Sequence, residues 1–407
     1  MTRRRVAVTG IGVVSPIGDT FPETLAALRA GKHGITRMPD WDGIPHFTTR
    51  LGAPARAHQV GGISKKLSRT MGRVALLSTV ATSEAIADAG LAAEEIHSGS
   101  VGLAYGSTHG SSSASEAWVR KLVTGGFLGL ASTTYLKFMS HTAAANLALY
   151  FGVKGRVMST CAACVSASQA IGAAYEAIKL GVSDVMIAGG AEELHFSHAG
   201  VFEIMYATSR AYNDAPDNSP RPFDAKRDGL VVGEGAGTFI LEEWERAKAK
   251  GRRIYAEVVG YGTNCDGTHA TNPSSDGMSR AMQLALEDAR LAPDDIHYVN
   301  AHATGTVIGD AAESHAMGRV FGGRVPVSSL KGQLGHTLGA CGTIEAALSI
   351  AMMREGFIAP TRNLEEVDPN CAPLDYVREM RERSLAVVMS NKFAFGGLNT
   401  SLIFRRV

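Results

Sequence analysis

Short apolar runs alternate along the chain with stretches in which apolar residues recur every three or four positions, the pattern of strands alternating with helices. The first run, Val6–Thr9, leads into Gly10-Ile-Gly12-Val-Val-Ser15 and reads as a buried strand followed by a tight turn. Thr20–Ala30 reads as a helix, and Met38–Val60, with scattered Pro, Gly and aromatic residues, as a surface excursion. Further strands are predicted at Val101–Tyr105, Val185–Ala188, Thr238–Leu241, Ala256–Val259, Tyr298–Ala301, Val325–Ser328, Leu385–Met389 and Ser401–Phe404. The stretch Val157–Gly181 opens apolar, passes through small residues and becomes a helix. Ala167, Ala170, Ile171, Ala174, Ala177 and Ile178 form that helix's apolar face, and Lys179 and Gly181 are its stop signals.

An internal repeat organises these elements. Residues 81–97 (ATSEAIADAGLAAEEIH) and 281–297 (AMQLALEDARLAPDDIH) share Ala81, Ala85, Asp88, Ala89, Leu91, Ala92, Ile96 and His97 at an offset of 200. Each copy is a helix, a short turn and a β-rich run, so duplication is the better account. The two halves, 1–250 and 251–407, are expected to meet near the charged helical connector Glu243–Arg253. Strand–helix alternation in both implies parallel or mixed α/β layers.

Composition narrows the class. A chain of 407 residues, 45% hydrophobic and 19% charged, has the make-up of a soluble globular protein with a large core. Its net charge of +1 gives no overall basic field for nucleic acid. The N-terminal run is broken at Thr9, Gly10 and Gly12, which argues against a signal peptide. The uncharged run Val157–Tyr175 contains Ser, Thr and Gln and reads as a buried helix, so no membrane insertion is expected. Five cysteines without a regular framework suit a reducing compartment, and a cytoplasmic protein is expected.

Candidate chemistry begins with Cys161 and Cys164, at the hand-over from strand to helix. Free N–H groups and the helix dipole favour thiolate over thiol there. The C-x-x-C spacing also suggests a redox pair or half a zinc site, but no second C-x-x-C accompanies it to complete a metal cluster. Gly10–Ser15 is a partial dinucleotide fingerprint that a tight turn explains equally well. The Gly/Ser loop Tyr105–Ser113 is not G-x-S-x-G, and Gly233–Gly237 lacks the Lys-Ser/Thr ending of a phosphate loop. Lys65, Lys66, Arg69 and Arg73 lie on or near a helix, as a solvated face or a dock for an acidic partner. Three late stretches follow strands: Asn300-Ala-His302-Ala-Thr304-Gly-Thr306, Lys331-Gly-Gln-Leu-Gly-His336, and Ser390-Asn-Lys-Phe393-Ala-Phe395-Gly396-Gly397.

With a cysteine at a helix start these stretches make a Cys–His–His set, and the sequence resembles the β-ketoacyl-[acyl-carrier-protein] synthases, condensing enzymes of the thiolase-like fold. The resemblance runs from Val8–Gly18 to the last strand. It includes A-G-G-A-E-E at Ala188–Glu193, R-P-F-D at Arg221–Asp224, R-D-G at Arg227–Gly229, G-E-G-A-G at Gly233–Gly237, and the three late motifs. It implies a duplicated thiolase-like fold layered αβαβα. Counting back from Ile171-Gly172, it selects Cys164 as the nucleophile.

The implied reaction is decarboxylative condensation of an acyl thioester on Cys164 with malonyl carrier protein, giving a 3-oxoacyl product in fatty-acid or related polyene or polyketide elongation. His302 and His336 would stabilise the enolate, with Lys331 beside the site and Glu313 and Glu345 as its carboxylate partners. Backbone N–H groups of Cys164 and Phe395 would hold the acyl-transfer oxyanion, with Phe395 also a gate. Thr304 and Thr306 would bind the pantetheine arm, and Phe202 would line the acyl tunnel. Lys65, Lys66 and Arg69 would dock the carrier protein. No metal or cofactor is implied. The expected assembly is a homodimer, or a heterodimer with a chain-length-factor relative.

Ala303 and Ala394 stand where the family commonly has glycine, which questions the gating motion because glycine alone tolerates many positive-φ conformations; Lys392 and Leu398 are also atypical. An inert chain-length-factor-like subunit is the alternative, but such subunits lack the cysteine present here. A thiolase would use a second cysteine as base where this chain has the histidine pair. A C-x-x-C oxidoreductase would need a redox-active Cys161–Cys164 pair.

Overall fold

The computed structural model describes residues 3–407. Eleven strands form its central sheet: β1 (Val6–Val14), β2 (Val101–Gly106), β3 (Val157–Thr160), β4 (Val185–Glu192), β5 (Gly235–Glu243), β6 (Ala256–Cys265), β7 (Tyr298–Asn300), β8 (Pro326–Ser328), β9 (Asp375–Tyr376), β10 (Val387–Ala394) and β11 (Leu398–Arg405). Their spatial order is 9-8-7-10-11-6-1-5-4-2-3. The order is palindromic in kind. From the central antiparallel pair β1–β6, each side continues with two antiparallel pairings and then two parallel ones, β5-β4-β2-β3 on one side and β11-β10-β7-β8 on the other. The repeat seen in the sequence is therefore a repeat of topology.

Five helices complete the layers: α1 (Arg73–Ala89), α2 (Ser166–Lys179), α3 (Ser275–Ala289), α4 (Val307–Phe321) and α5 (Cys341–Glu355). Outside, α1 covers β1, β5 and β4, while α3 covers β6 and β11 and packs on α4. Between the halves, α2 packs on β4 and β2, α5 on β5 and β10, and the two helices touch each other. The layering is αβαβα. Because α5 is enclosed on every side, it is buried from Cys341 to Met353 and carries no polar face.

Glycines set the closeness of the outer helices and explain one difference from expectation. Gly10 and Gly12 form no turn; β1 runs through them to Val14. A Cβ on Gly10 would lie 2.3 Å from the Ala85 carbonyl oxygen, and one on Gly12 would lie 1.9 Å from that of Ala81. The second half repeats the device with Gly260 at 2.4 Å from Ala285 O and Gly262 at 2.1 Å from Ala281 O. Strand glycine here marks close backbone approach. The repeated aspartates fasten the same joint: Asp88 accepts the Ile11 N–H at 2.9 Å and Asp288 that of Tyr261 at 3.2 Å. In each half the strand register shifts just before the first glycine.

Gly235–Gly237 likewise belongs to a strand, β5, for the same reason: a Cβ at Gly237 would meet Thr343 on α5 at 2.9 Å. The Gly/Ser loop ends earlier than expected, since Ser112 opens a helix to Gly125. Lys65 and Lys66 lie in the turns before α1, exposed with Arg69, whereas Arg73 opens α1 and is tied to Glu234. Among the described residues no helix is long and apolar enough to cross a membrane.

Candidate active site

The chain ends of parallel strands from both halves converge on one cavity, as is usual for sites in α/β sheets. β3 feeds a 3₁₀ turn, Ala163–Val165, that carries Cys164 into α2. After β7 the chain reaches His302; after β8, Lys331 and His336; and the β10–β11 hairpin turn carries Phe395. The cavity, about 290 Å³, is lined by Cys164, His302, His336, Thr304, Thr306, Phe202 and Phe395. Glu313 lines it as well, Lys331 and Glu345 lie buried outside its lining, and the exposed Lys65, Lys66 and Arg69 do not line it. The Phe202 and Phe395 rings lie 5.3 Å apart between centroids, tilted by 40°.

At its floor the Cys164 Sγ lies 3.0 Å from His336 Nε2. The His302 and His336 rings stand nearly perpendicular with centroids 5.0 Å apart, and Phe393 abuts His302. The sulfur and the two imidazoles each present a ligand atom within 4.8 Å of the others, a set that could also hold a metal ion. Two ammonium groups stand close by, however, and they oppose a cation.

Burial sets the protonation states. It pushes the Cys164 thiol up, with Cys341 adding to the effect and Lys331 opposing it. His302 and His336 are held well below the ordinary imidazole range, first by burial and then by Lys331. The resting pair is therefore thiol and neutral imidazole, not thiolate and imidazolium. This departs from the expectation drawn from the helix start, because the dipole term, about 0.3–1 kcal/mol near a helix end, is outweighed by full desolvation. Backbone strain marks the spot: Ala163 and Leu338 hold φ of 47° and 43°, left-handed values unusual for non-glycine residues. Ala303 and Ala394 are not among the positive-φ residues, so neither position requires glycine's freedom.

Lys331 is fully buried, and its ammonium meets Glu345 at 2.6 Å. Burial works against that charge, but Glu345 and its neighbours outweigh it and the Lys331 pKa is raised. Glu313 does something else. It accepts the N–H groups of His302 at 2.8 Å and Ala303 at 2.6 Å, clamping the loop that carries the histidine. Asp310 similarly accepts from Phe223, Thr304 and Gly305. Thr304 and Thr306 approach each other at 3.1 Å between hydroxyls. Arg227 reaches the Thr306 and Val307 carbonyls, and Arg221 pairs with Asp224 at 2.9 Å, so the R-P-F-D and R-D-G motifs brace this loop.

Three features were missed from sequence. Cys341 donates to the Cys164 carbonyl at 3.3 Å; it occupies a variable position of the Lys331–Gly342 motif. Lys392 is buried beside Glu345 at 3.0 Å, and only its atypical identity signalled it. The lip from Asp266 to Pro273 lines the cavity without any motif. Cys161 is exposed, its sulfur 2.9 Å from the Thr108 carbonyl rather than facing Cys164, and all five cysteines are free thiols.

Comparison with known proteins decides the family. The beta-ketoacyl synthase N-terminal domain model matches residues 3–247 and the C-terminal domain model residues 255–365. The chain belongs to the β-ketoacyl synthase family. It is 38% identical to 3-oxoacyl-[acyl-carrier-protein] synthase 1 of Escherichia coli strain K12 over 408 residues, covering 99% of each chain. A beta-ketoacyl synthase crystal structure from Burkholderia phymatum STM815 is 53% identical and superposes with a TM-score of 0.96 over 99% of this chain and 100% of that one. A type II PKS acyl-carrier protein in complex with its ketosynthase is 28% identical in the matched chain, with a TM-score of 0.90 and full coverage of both. The fold is accordingly the thiolase-like fold of the ketosynthases.

Proposed function

We propose that this β-ketoacyl synthase catalyses decarboxylative condensation of an acyl thioester with malonyl-[acyl-carrier-protein] to a 3-oxoacyl-[acyl-carrier-protein]. The observation that carries the reading is the buried Cys164 Sγ, 3.0 Å from His336 Nε2 with His302 alongside, at the floor of an apolar-walled cavity. Cys164 attacks the acyl carbonyl; a carbon–sulfur bond forms, and the pantetheine sulfur leaves and takes up the proton that Cys164 gives up. Backbone N–H groups of Cys164 and Phe395 hold the passing oxyanion. Malonyl thioester then loses carbon dioxide. The electron pair of the broken carbon–carbon bond enters an enolate whose oxygen is held by His302 and His336. Its carbon attacks the acyl-enzyme and expels the Cys164 thiolate.

Neutral imidazoles suit this task. Each offers an N–H donor to a developing oxyanion in a dry site, a contact that is worth about 10²–10³-fold in comparable oxyanion sites. Thr304 and Thr306 on the wall suit the pantetheine arm, Phe395 the gate and Phe202 the acyl chain. Lys331 with Glu345 sets the field, and Glu313 positions His302. The exposed Lys65, Lys66 and Arg69 are the proposed dock for an acidic carrier protein. The chain divides into halves at about residue 250, functions in the cytoplasm, and assembles as a homodimer or with a chain-length-factor relative. The inert-subunit alternative has no observation in its favour, since Cys164, His302, His336 and Lys331 share one site.

Intact mass after incubation with acyl carrier-protein thioesters tests the reading. An acyl adduct is expected that survives in Cys161→Ser, vanishes in Cys164→Ala, and turns over to a 3-oxoacyl product when malonyl carrier protein is added. An adduct on Cys161, or none with any thioester and candidate partner, would overturn it.

A further inference from the structure

We propose that Lys392 is a positioning residue of the site: it shares Glu345 with Lys331, tethers the strand end leading to His302, and leaves one uncompensated positive charge behind the histidine pair. The inference rests on the condensation reading above.

Lys392 comes from β10, where the Ser390 and Lys392 side chains face Asn300 of β7 and Lys392 also reaches Glu345 of α5. Its Nζ lies 2.7 Å from Asn300 Oδ1, 2.7 Å from the Asn391 carbonyl, 3.1 Å from Ser390 Oγ and 3.0 Å from Glu345 Oε2. Three of these four are oxygens that only accept, one being a carboxylate. Ser390 can direct its own proton to Asn300 Oδ1, 2.9 Å away. An ammonium has three N–H donors, whereas a neutral amine has two and a lone pair that would face an acceptor. The surroundings therefore call for the charged form, although burial, with the Lys331 ammonium, holds the Lys392 pKa below the ordinary amine range against the pull of Glu345.

The charge count follows. Among the described residues Glu345 is the one carboxylate paired with either buried lysine. Glu313 is committed to the His302 and Ala303 amides, and Glu192 to those of Thr108 and Gly339. Two ammoniums and one carboxylate leave an excess of one positive charge. The groups facing the imidazoles are Lys331, Lys392, Glu345, Glu313, Cys164 and Cys341, and burial, with both lysines, disfavours protonation of either histidine. The same charge attracts electron density moving onto the enolate oxygen. Through Asn300, two residues before His302, Lys392 also fixes where that histidine leaves the sheet.

The test uses decarboxylation of malonyl carrier protein to acetyl carrier protein in the Cys164→Ala background, followed against pH. Wild-type residue 392 in that background is compared with Lys392→Met, Lys392→Gln and Lys392→Arg, each checked for folding by circular dichroism. Removing the charge makes the histidines easier to protonate, so the acid limb is expected to move to higher pH by about 0.5 unit or more in Met and Gln. It should stay in place in Arg. A role limited to filling acceptors predicts lower melting temperatures with no movement of the limb. Limbs coincident in the folded Met and Gln variants would overturn the proposal; Gln, which still donates to Asn300, decides if Met does not fold. Absence of decarboxylation in the Lys392 parent would instead count against the condensation reading itself.

Discussion

Removing Glu313 separates two readings of one buried carboxylate. In Glu313→Ala the His302 and Ala303 N–H groups, bonded at 2.8 and 2.6 Å, lose their acceptor. Each orphaned buried donor costs about 1–3 kcal/mol, so the pair predicts a loss of about 2–6 kcal/mol. A second effect opposes it at higher pH. Burial pushes the Glu313 pKa up to about 7 from 4.5. A raised carboxyl gives stability present below its unfolded value and lost as pH rises through its folded one. Wild type thus loses up to about 3 kcal/mol between pH 4.5 and about 7 through this group, at about 1.36 kcal/mol per unit, and the variant does not. Glu313→Ala should therefore be more damaging at pH 5 than at pH 8 in denaturant titrations. Condensation should fall about 10²-fold with the misplaced His302. Were Glu313 the partner of the Lys331 ammonium, its removal would bare a buried charge at about 3–5 kcal/mol, worst where the carboxylate is ionised, at pH 8. A greater loss at pH 8 than at pH 5 would refute the clamp.

Two further outcomes are expected. Gly12→Ala should lower stability by about 3 kcal/mol or more, because its methyl would sit 1.9 Å from a helix carbonyl that only movement of α1 can relieve. Gly43→Ala, with nothing within 4 Å, should be near neutral, and equal midpoints for the two would contradict the close-approach argument. Glu192, pushed up to about 8 by burial, should make wild type lose stability between pH 4.5 and about 8. Glu192→Gln, uncharged throughout, should flatten that slope, and parallel pH curves would show that the carboxylate stays ionised.

Backbone placement was legible in the sequence where a motif fixes it. Cys164, His302, Lys331 and His336 follow strands with small residues around them, and all four are gathered at one site. The repeat was legible too, although its meaning was not. The recurring Ala81, Ala85 and Ala89 present helix backbone to strand glycines, which strand propensity reads as turns. The strands predicted at Val6–Thr9 and Ala256–Val259 stop just before such glycines for that reason; β1 continues five residues past Thr9 and β6 six past Val259. Charge compensation was less legible. Glu345 does pair with Lys331, but Glu313, on the other side of it in sequence, does not, and the second ammonium on Glu345 comes from 47 residues further on.

That misassignment follows a wider rule in this molecule. Several of its carboxylates serve as acceptors for backbone amides: half-buried Glu84 takes Val13 and Phe21, and buried Glu192 takes Thr108 and Gly339, Asp310 takes Phe223, Thr304 and Gly305, and Glu313 takes His302 and Ala303. Amide donors carry only partial charge and do not fully offset desolvation, so all four have raised pKa values, about 7, 8, 6 and 7. Glu345 is the contrast. Burial alone would raise it too, but Lys331 and Lys392 reverse the sign and hold it low. A carboxylate used to shape a loop can tolerate neutralisation, because a protonated carboxyl still accepts an N–H. One used to keep two buried ammoniums charged cannot. Behind Cys164, His302 and His336, where a negative transition state is to be stabilised, the fold thus places a carboxylate kept ionised by two lysines, and it uses carboxylates that can be neutral to hold the loops around the site.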